Sequence, residues 1–154
     1  MTYTYNGCPS EDDEENAVAD YCDLRGWKHT HIGNEIFTDS WKQKAKQKYL
    51  GLHSGFPDHV VLVKHKDGRT IPVFLEMKRK KGGEISDNQF DWVEALREAG
   101  QHAIVCAGAE QAINVLEAVA GGDEEPYKFC IEKFYKKYEK NRQKREKAKN
   151  SCPF

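Results

Sequence analysis

The most informative part of the sequence is residues 55–78, which read GFPDHVVLVKHKDGRTIPVFLEMK. Two apolar runs flank a tight Asp-Gly turn, and this pattern predicts a β-hairpin. Asp58 precedes the first run and Glu76 ends the second, so pairing of the two strands brings both carboxylates to the same end of the hairpin. Glu76 and Lys78 are two residues apart on a strand and therefore point to one face. The hairpin thus predicts two carboxylates and an amine around one point.

Length and composition indicate one polar domain. The chain has 154 residues, of which 32% are charged and 38% hydrophobic, which is enough for one hydrophobic core. No apolar run approaches the roughly 18–20 residues that span a bilayer, and the first residues lack the pattern of a secretion signal. The five cysteines are an odd number without a Cys-x-x-Cys pair, which argues against a zinc ribbon or a disulfide framework. We therefore expect no membrane contact and a cytoplasmic location, in the host cytoplasm if the protein is viral.

The segments before the hairpin read as a helix followed by an extended stretch. Ser10 precedes a run of acidic residues, which is typical of a helix N-terminus, and Gly26 ends that helix. Residues 27–38 are expected to be extended and contain His29 and His31. Without cysteines or a helical His-x-x-x-His spacing, we expect these histidines to have structural or phosphate-contacting roles rather than to bind a metal.

Two basic segments adjoin the hairpin. A short basic helix is predicted over residues 40–50, and a second basic run follows Lys78 directly. In the helix, Trp41, Ala45 and Tyr49 are four residues apart, so we expect them to pack on the body of the domain. The lysines suit contacts with phosphates, although solvation alone also explains them. The predicted DNA contacts are Lys42, Lys44, Lys46, Lys48, Arg79, Lys80 and Lys81.

The part of the chain after the hairpin alternates helices and strands. Ser86 and Gln89 form a capping-box pattern at the start of a helix. A short apolar strand at residues 103–107 and a helix at residues 109–120 follow. This alternation predicts an α/β domain with a central mixed sheet and helices packed against it. We assign this domain to residues 9–121.

Residues 126–154 are assigned to a helical C-terminal extension. They carry ten Lys or Arg against three Glu, although the whole chain has a formal net charge of −1. A basic segment on a nearly neutral chain predicts a polyanionic partner, and a solvated charged helix is the alternative. We expect the first half of the extension to dock on the body or on a second subunit, and the second half to be a frayed basic arm. The aromatic residues at helical spacing in the first half include Tyr127, Phe134, Tyr135 and Tyr138.

The residue types at the end of the hairpin suit hydrolysis of phosphodiesters. Mg²⁺, or Mn²⁺ in its place, needs only a few protein oxygens, because it keeps several waters. Asp58 and Glu76 would supply such oxygens, and the backbone carbonyl of Met77 could add one. Lys78 could orient or deprotonate the attacking water, or offset phosphate charge. Gln89 could hold the lysine, the water or the scissile phosphate.

The order of these motifs resembles the PD-(D/E)xK nucleases, and closely their VRR-NUC branch. The resemblance covers about residues 9–120 and implies a restriction-endonuclease-like α/β core with a metal-dependent nuclease site. It implies that Asp58 and Glu76 bind the metal. It also implies that Lys78 is catalytic and that Gln89 supports these residues. The matching residues include Ser10, Glu11, Glu15, Gly26, His31, Asn34, Glu35, Gly51, Gly55, Pro57, Asp58, Glu76, Lys78, Gly83, Ser86, Gln89, Leu96 and Gly100.

Two points of this resemblance stay open. In the family a glutamate of the first helix often completes the metal cluster, and Glu11, Glu14 and Glu15 compete for that place. We favour Glu15, which lies eleven residues before Gly26. One departure from the family pattern is Phe56, where a smaller aliphatic residue is usual.

Three functions follow as hypotheses. The first is a homodimeric, phage-like Holliday-junction resolvase, because free-standing members of the family resemble junction resolvases and this chain is short. The second is a nuclease of the same fold that acts on flaps, ends, or nicked or linear DNA in repair or restriction. The third is a non-catalytic DNA-binding module. None of them requires a small-molecule cofactor.

Overall fold

A computed structural model of the chain describes residues 7–33, 39–123 and 132–151. The strands form one mixed sheet in the order β1-β2-β3-β4, in which β1-β2 and β2-β3 are antiparallel and β3-β4 is parallel. This arrangement confirms the predicted α/β fold with a central mixed sheet. The elements are α1 (Glu11–Arg25), β1 (Lys28–His31), α2 (Trp41–Tyr49), β2 (His59–Lys64), β3 (Thr70–Lys78), α3 (Asp87–Glu98), β4 (His102–Ala107), α4 (Ala109–Ala120) and α5 (Glu132–Asn150).

The predicted hairpin is formed by β2 and β3. His59 is paired with Leu75, so Asp58 and Glu76 lie beside each other at one end, as expected. Pro72 lies in β3, which is an inner strand, but the ladder with β4 begins only at the next residue. The missing N–H of this proline therefore removes no hydrogen bond from that ladder.

The sheet carries a helix layer on each face. Alternate residues of β3 divide between the two faces, so that Leu75 and Met77 join the core with α1 and α4, whereas Phe74 packs on the side of α3 and α5. Glu76 lies on the second face beside Phe74 and is fully buried. The strand alternation thus places a carboxylate inside an otherwise apolar layer.

Helix α1 begins and ends where the sequence predicts. Ser10 and Asp13 form a capping box, and Gly26 adopts the left-handed conformation that ends the helix. Val18 and Cys22 are buried, but Leu24, near the end of the helix, is exposed. Two residues correspond to about 200° around a helix, so Leu24 faces away from the side of Cys22.

The expectation that α2 packs on the body is wrong. Trp41 and Tyr49 are 73% and 88% exposed, Ala45 is exposed, and none of the described side chains of α2 is buried. Lysines at every second position lie on two opposite sides of a helix, so the apolar stripe between them is narrow. Of the predicted extended stretch before it, β1 covers Lys28–His31, and residues 34–38 lie outside the described part.

Helix α5 docks on the body along most of its length. Phe134 is buried in the core with α3, and the Tyr135 hydroxyl accepts hydrogen bonds from Arg97 and from the Val105 backbone N–H. The prediction of a frayed second half is wrong, because the helix continues to Asn150. Its polar side chains meet α3 in three pairs: Asn141 with Asp87, Arg142 with Glu94, and Arg145 with Asp91.

Tyr127 and the side chain of Tyr138, both assigned to the aromatic stripe, lie outside the described residues. In the described part of the chain, none of the helices combines the length and the apolar character needed to cross a bilayer.

Candidate active site

The four side chains predicted to form a site meet at the end of β3. Lys78 Nζ lies 3.1 Å from Glu76 Oε1, and the Gln89 carboxamide donates to the same oxygen over 2.6 Å. Asp58 lies close enough to raise the pKa of Glu76 by charge repulsion. The structure therefore brings together two carboxylates, one ammonium group and one carboxamide.

Glu76 is the most unusual member of this cluster. Burial, and then the charge of Asp58, raises its pKa from 4.5 to about 8, although Lys78 acts in the opposite direction. Its second oxygen, Oε2, is buried and has no hydrogen-bond partner among the described residues. Leaving a buried carboxylate oxygen without a donor is costly. A bound cation would satisfy this oxygen.

The charged form of Asp58 is also destabilised by its surroundings. Burial and then the charge of Glu15 raise its pKa, whereas Lys78 and a backbone hydrogen bond from Met77 lower it. The contact with Met77 uses the backbone N–H, because only that group can donate to a carboxylate. A role for the Met77 carbonyl as a ligand stays a prediction.

Lys78 is held as a cation. Burial lowers its pKa, but Glu76, Glu11 and Asp58 outweigh that effect, so the pKa lies above its ordinary value. These carboxylates favour the positively charged form of the lysine when no cation lies beside it. A role for Lys78 as a base next to a bound cation stays a prediction.

Helix α1 contributes two glutamates to the site. The carboxylate oxygens of Glu11, Glu15 and Asp58 lie within 4.8 Å of one another, and Glu11 Oε1 is 3.9 Å from Lys78 Nζ. Glu14 has a different role, because its carboxylate accepts the Ala109 N–H over 2.6 Å at the start of α4. The residue that caps α4, Gly108, has no side chain that could do this. Of the three competing glutamates, two face the site and one caps a helix.

Gln89 links a helix terminus to the site. Its side-chain oxygen accepts the Ser86 N–H over 2.9 Å, and its own N–H donates to Ser86 Oγ, which completes the predicted capping box. Its amide group then points to Glu76. The sequence suggested the lysine, the water or the phosphate as partner, and the partner in the structure is this carboxylate.

Comparison with known proteins gives the family. The VRR-NUC domain profile matches residues 20–110. The chain belongs to the VRR-NUC domain family. This range includes Asp58, Glu76, Lys78 and Gln89, whereas the glutamates of α1 precede it. The family is one of nucleases, as its name indicates.

Solved structures agree with this assignment at the level of the fold. One described as a VRR_NUC domain protein is 19% identical over 71% of this chain and 86% of that chain, with a TM-score of 0.55. Another, described as a VRR_NUC domain, is 17% identical over 71% of this chain and 97% of that chain, with a TM-score of 0.50. A search of the curated proteins returned no match.

Two glycines of this VRR-NUC domain allow close packing around the site. Gly55 has φ 94°, and a Cβ atom there would lie 2.7–2.8 Å from atoms of Asn88 and Gln89. A Cβ at Gly83 would lie 2.9 Å from the Cβ of Lys78. Contacts this short are not tolerated, so glycine lets the loop before Asp58 lie directly on the N-terminus of α3.

Phe56, the bulky residue of the Gly-Phe-Pro-Asp segment, packs between two aromatic rings. The Phe56 ring meets Phe74 of β3 and Trp92 of α3 edge-on, with centroids 5.8 and 5.1 Å away. Such edge-to-face contacts stabilise a loop against its neighbours. In this VRR-NUC domain, the larger residue therefore fills the space between a strand and a helix.

The predicted DNA-contacting residues are all on the surface. The four lysines of α2 are exposed, as are the three basic residues that follow β3. Arg79 donates to the Gly82 carbonyl over 3.3 Å, and Lys80 lies 3.8 Å from Glu110. Their accessibility is compatible with phosphate contacts, and the contacts themselves stay predictions.

Sequence reasoning named Glu11 only as a competitor of Glu15, and it did not identify His59 near the site. Glu11 and Glu15 are four residues apart on a helix, a spacing that places both on one side and would have allowed them to be chosen together. His59 occupies an inward position of β2, in alternation with Val61 and Val63. A polar residue at an apolar position was the available signal.

Proposed function

We propose that this VRR-NUC domain is a divalent-cation-dependent DNA endonuclease that hydrolyses phosphodiester bonds in branched DNA. The observation that carries the proposal is the buried Glu76 carboxylate with one oxygen unpartnered among the described residues, beside Asp58 and the ammonium group of Lys78. Burial of Glu76 and the repulsion between its carboxylate and that of Asp58 destabilise this cluster when no cation is bound. A cation would relieve both costs.

The donor set fits a hard dication. Carboxylates are the ligands that Mg²⁺ and Mn²⁺ prefer, and the Glu76 Oε2 atom offers one directly. Asp58 and Glu76 would hold the ion, with the Met77 carbonyl as a further ligand and Glu15 or Glu11 at its margin. When bound, the ion supplies Lewis acidity, which makes water a stronger nucleophile and offsets charge on the phosphate.

Lys78 and Gln89 would offset charge and position the groups around the ion. Lys78 is a fixed cation, so it offsets the negative charge of a phosphate or orients a water, and we do not assign it the role of base. Gln89 holds one oxygen of Glu76 and thereby leaves the other to face the ion. Both groups belong to rigid elements, which keeps their geometry fixed.

The proposed DNA contacts lie on either side of this cluster in the sequence. The lysines of α2 would contact phosphates, and the exposed rings of Trp41 and Tyr49 offer stacking surfaces to unpaired bases. The basic residues after β3, Arg79, Lys80 and Lys81, would hold the strand near Lys78. Contacts of this kind recognise shape and charge rather than base sequence.

A four-way junction is our preferred substrate, cleaved by a homodimer. Two copies of one site, related by a two-fold axis, match the symmetry of such a junction. Phe134 and Tyr135 are engaged within the chain, so they do not support a dimer interface through the aromatic stripe. We also propose a cytoplasmic location, which the odd number of cysteines supports.

A cleavage panel tests the function. Four-way junctions, flaps, nicked, linear and single-stranded DNA are incubated with Mg²⁺, Mn²⁺ or EDTA. We expect symmetrical cleavage of the junction that EDTA abolishes. Asp58→Ala, Glu76→Gln and Lys78→Ala should abolish cleavage but retain DNA binding, and the exposed Asp20→Asn serves as the charge-matched control. A preference for flaps or ends would instead favour a repair or restriction nuclease, and binding without cleavage of any substrate would favour a non-catalytic module.

A further inference from the structure

We propose that Glu15, His31 and His59 form a second cation site, which binds a transition-metal dication such as Zn²⁺ or Co²⁺. The site lies beside the carboxylates described above and shares Glu15 with them. It goes beyond the nuclease function, because cation binding here can be measured without DNA. The sequence favoured a structural or phosphate-contacting role for His31, because its partner His59 lies on another strand.

The distances among the three donor atoms define the geometry. Glu15 Oε2 is 3.4 Å from His31 Nδ1 and 3.3 Å from His59 Nε2, and the two nitrogens are 3.4 Å apart. A tetrahedral ion with bonds of about 2.0–2.1 Å needs donor atoms about 3.3–3.4 Å apart. Octahedral Mg²⁺ at the same bond length needs about 2.9 Å between neighbouring donors. The three atoms therefore match one face of a tetrahedron.

Hydrogen bonding alone explains these contacts less well. A charge-assisted N–H···O bond is usually about 2.7–2.9 Å long, and both contacts to Glu15 are longer. One carboxylate oxygen also faces two ring nitrogens, which in turn face each other. Three donor atoms at these mutual distances are the arrangement that a metal ion requires. Two imidazoles and a carboxylate favour Zn²⁺ or Co²⁺ over Mg²⁺.

The fold holds the three ligands before any ion binds. His31 and His59 are register partners on β1 and β2, and their rings meet edge-on with centroids 5.0 Å apart. Glu15 comes from α1, which lies across these strands. The side chains of His59 and Glu15 are 5% and 17% exposed, whereas that of His31 is 54% exposed. The site is thus fixed on one side and open on the other.

The site is accessible to an ion from the solvent. The three residues line a cavity of about 500 Å³ together with Glu11 and Asp58. An ion bound there would keep an open fourth position for water or for an anionic group, as zinc sites with three protein ligands do. Because Glu15 belongs to both clusters, an ion bound at this site would also act on the neighbouring carboxylates.

The test is a Co²⁺ titration of the whole chain in excess Mg²⁺. Excess Mg²⁺ would fill the oxygen ligands of the proposed nuclease centre, and tetrahedral Co²⁺ gives strong visible absorption that octahedral Co²⁺ does not. We expect one equivalent to bind with the tetrahedral spectrum and to be displaced by Zn²⁺. His31→Ala should weaken Co²⁺ binding by at least about ten-fold, and His59→Ala should do so as well if circular dichroism shows that it folds.

Two variants separate the possible outcomes. His29 lies on the same strand but is bonded to Asp23 over 2.8 Å, so His29→Ala should bind Co²⁺ normally. Glu76→Gln should lose cleavage and keep the tetrahedral spectrum, which distinguishes this site from the proposed nuclease centre. An octahedral spectrum, or equal binding by wild type and His31→Ala, would overturn the proposal.

Discussion

Gln89 donates a 2.6 Å hydrogen bond to the buried Glu76 carboxylate with the same side chain whose oxygen caps α3. One residue therefore joins the helix terminus to the proposed active site. Gln89→Glu separates these two tasks, since a carboxylate can still accept the Ser86 N–H. Its second oxygen would face Glu76 with like charge. We expect a folded protein whose cleavage rate is lower on the order of 10²-fold, because the Glu76 side chain is displaced.

The control for this variant is Gln89→Ala, which removes both side-chain hydrogen bonds. It should lower stability by up to about 1 kcal/mol because the Ser86 N–H loses its partner in the capping box, in addition to lowering activity. Urea unfolding measures the first effect and initial cleavage rates measure the second. A Gln89→Glu protein with the wild-type rate would show that the bond to Glu76 has no part in the activity.

Glu76 should make stability depend on pH in the absence of divalent cations. Its pKa is about 8 in the folded chain against an ordinary 4.5, mainly because of burial and then of Asp58. The folded state therefore keeps a proton that the unfolded state has already released, and stability falls as pH rises from about 4.5 to 8. Glu76→Gln cannot ionise. It should equal wild type near pH 4.5 and exceed it by about 1 kcal/mol or more at pH 8.

Chemical unfolding in EDTA at several pH values measures this difference. Glu98→Gln, an exposed substitution on α3, is the control and should follow wild type at every pH. Added Mg²⁺ should stabilise wild type more than Glu76→Gln, since binding to the folded state alone raises its stability. Parallel pH profiles for wild type and Glu76→Gln would contradict the assigned role of the buried charge.

The sequence predicted the parts of this fold that local patterns determine. The hairpin, the helix start at Ser10, the capping box at Ser86, and the meeting of Asp58 with Glu76 follow from turn chemistry, helix capping and strand register. Each depends on residues close together in the chain or directly paired. Those parts were confirmed by the structure.

The errors concern contacts between distant elements. Trp41 and Tyr49 have helical spacing, but spacing does not reveal whether a partner surface exists. The basic half of α5 looked like a free arm because the acids that it meets are about fifty residues earlier, on α3. His31 and His59 were not joined as a pair, since only the sheet register places them side by side. Tertiary structure decides such cases.

Three glutamates on α1 give a matched test of the site. Glu11 and Glu15 face Asp58, whereas Glu14 accepts the Ala109 N–H. We expect Glu11→Gln and Glu15→Gln to lower the cleavage rate, because each removes charge near the proposed cation. Glu14→Ala should instead cost about 1 kcal/mol of stability because it uncaps α4, with cleavage per folded molecule retained.

Cleavage rates and urea midpoints, measured together for all three variants, separate the two roles. Comparable loss of cleavage in the Glu14 variant would place that residue in the site. Unchanged cleavage in both the Glu11 and Glu15 variants would remove α1 from it.

Gly51 and Gly55 separate backbone strain from steric clash. Both have positive φ, 89° and 94°, but a Cβ at Gly51 meets open space, whereas one at Gly55 would collide with Asn88 and Gln89. Gly51→Ala should therefore cost about 1 kcal/mol from its φ alone. Gly55→Ala should cost about 2–4 kcal/mol and displace Asp58. Equal unfolding midpoints for the two variants, with equal cleavage, would show that the loop yields freely.

The lysines of α2 should determine how DNA binding depends on salt. Removing one lysine–phosphate pair reduces the slope of log affinity against log salt by about 0.9, so replacing Lys42, Lys44, Lys46 and Lys48 by Gln should reduce it by up to about 3.6. The control replaces Lys140, Lys144, Lys147 and Lys149 of α5, which are also exposed and remove the same charge. Binding to a four-way junction is measured in EDTA at several salt concentrations, so that the DNA stays uncut. If α2 contacts the DNA directly, the salt slope should change more in the α2 variant than in the α5 variant. Equal slopes in the two variants would mean that only the net charge of the chain matters.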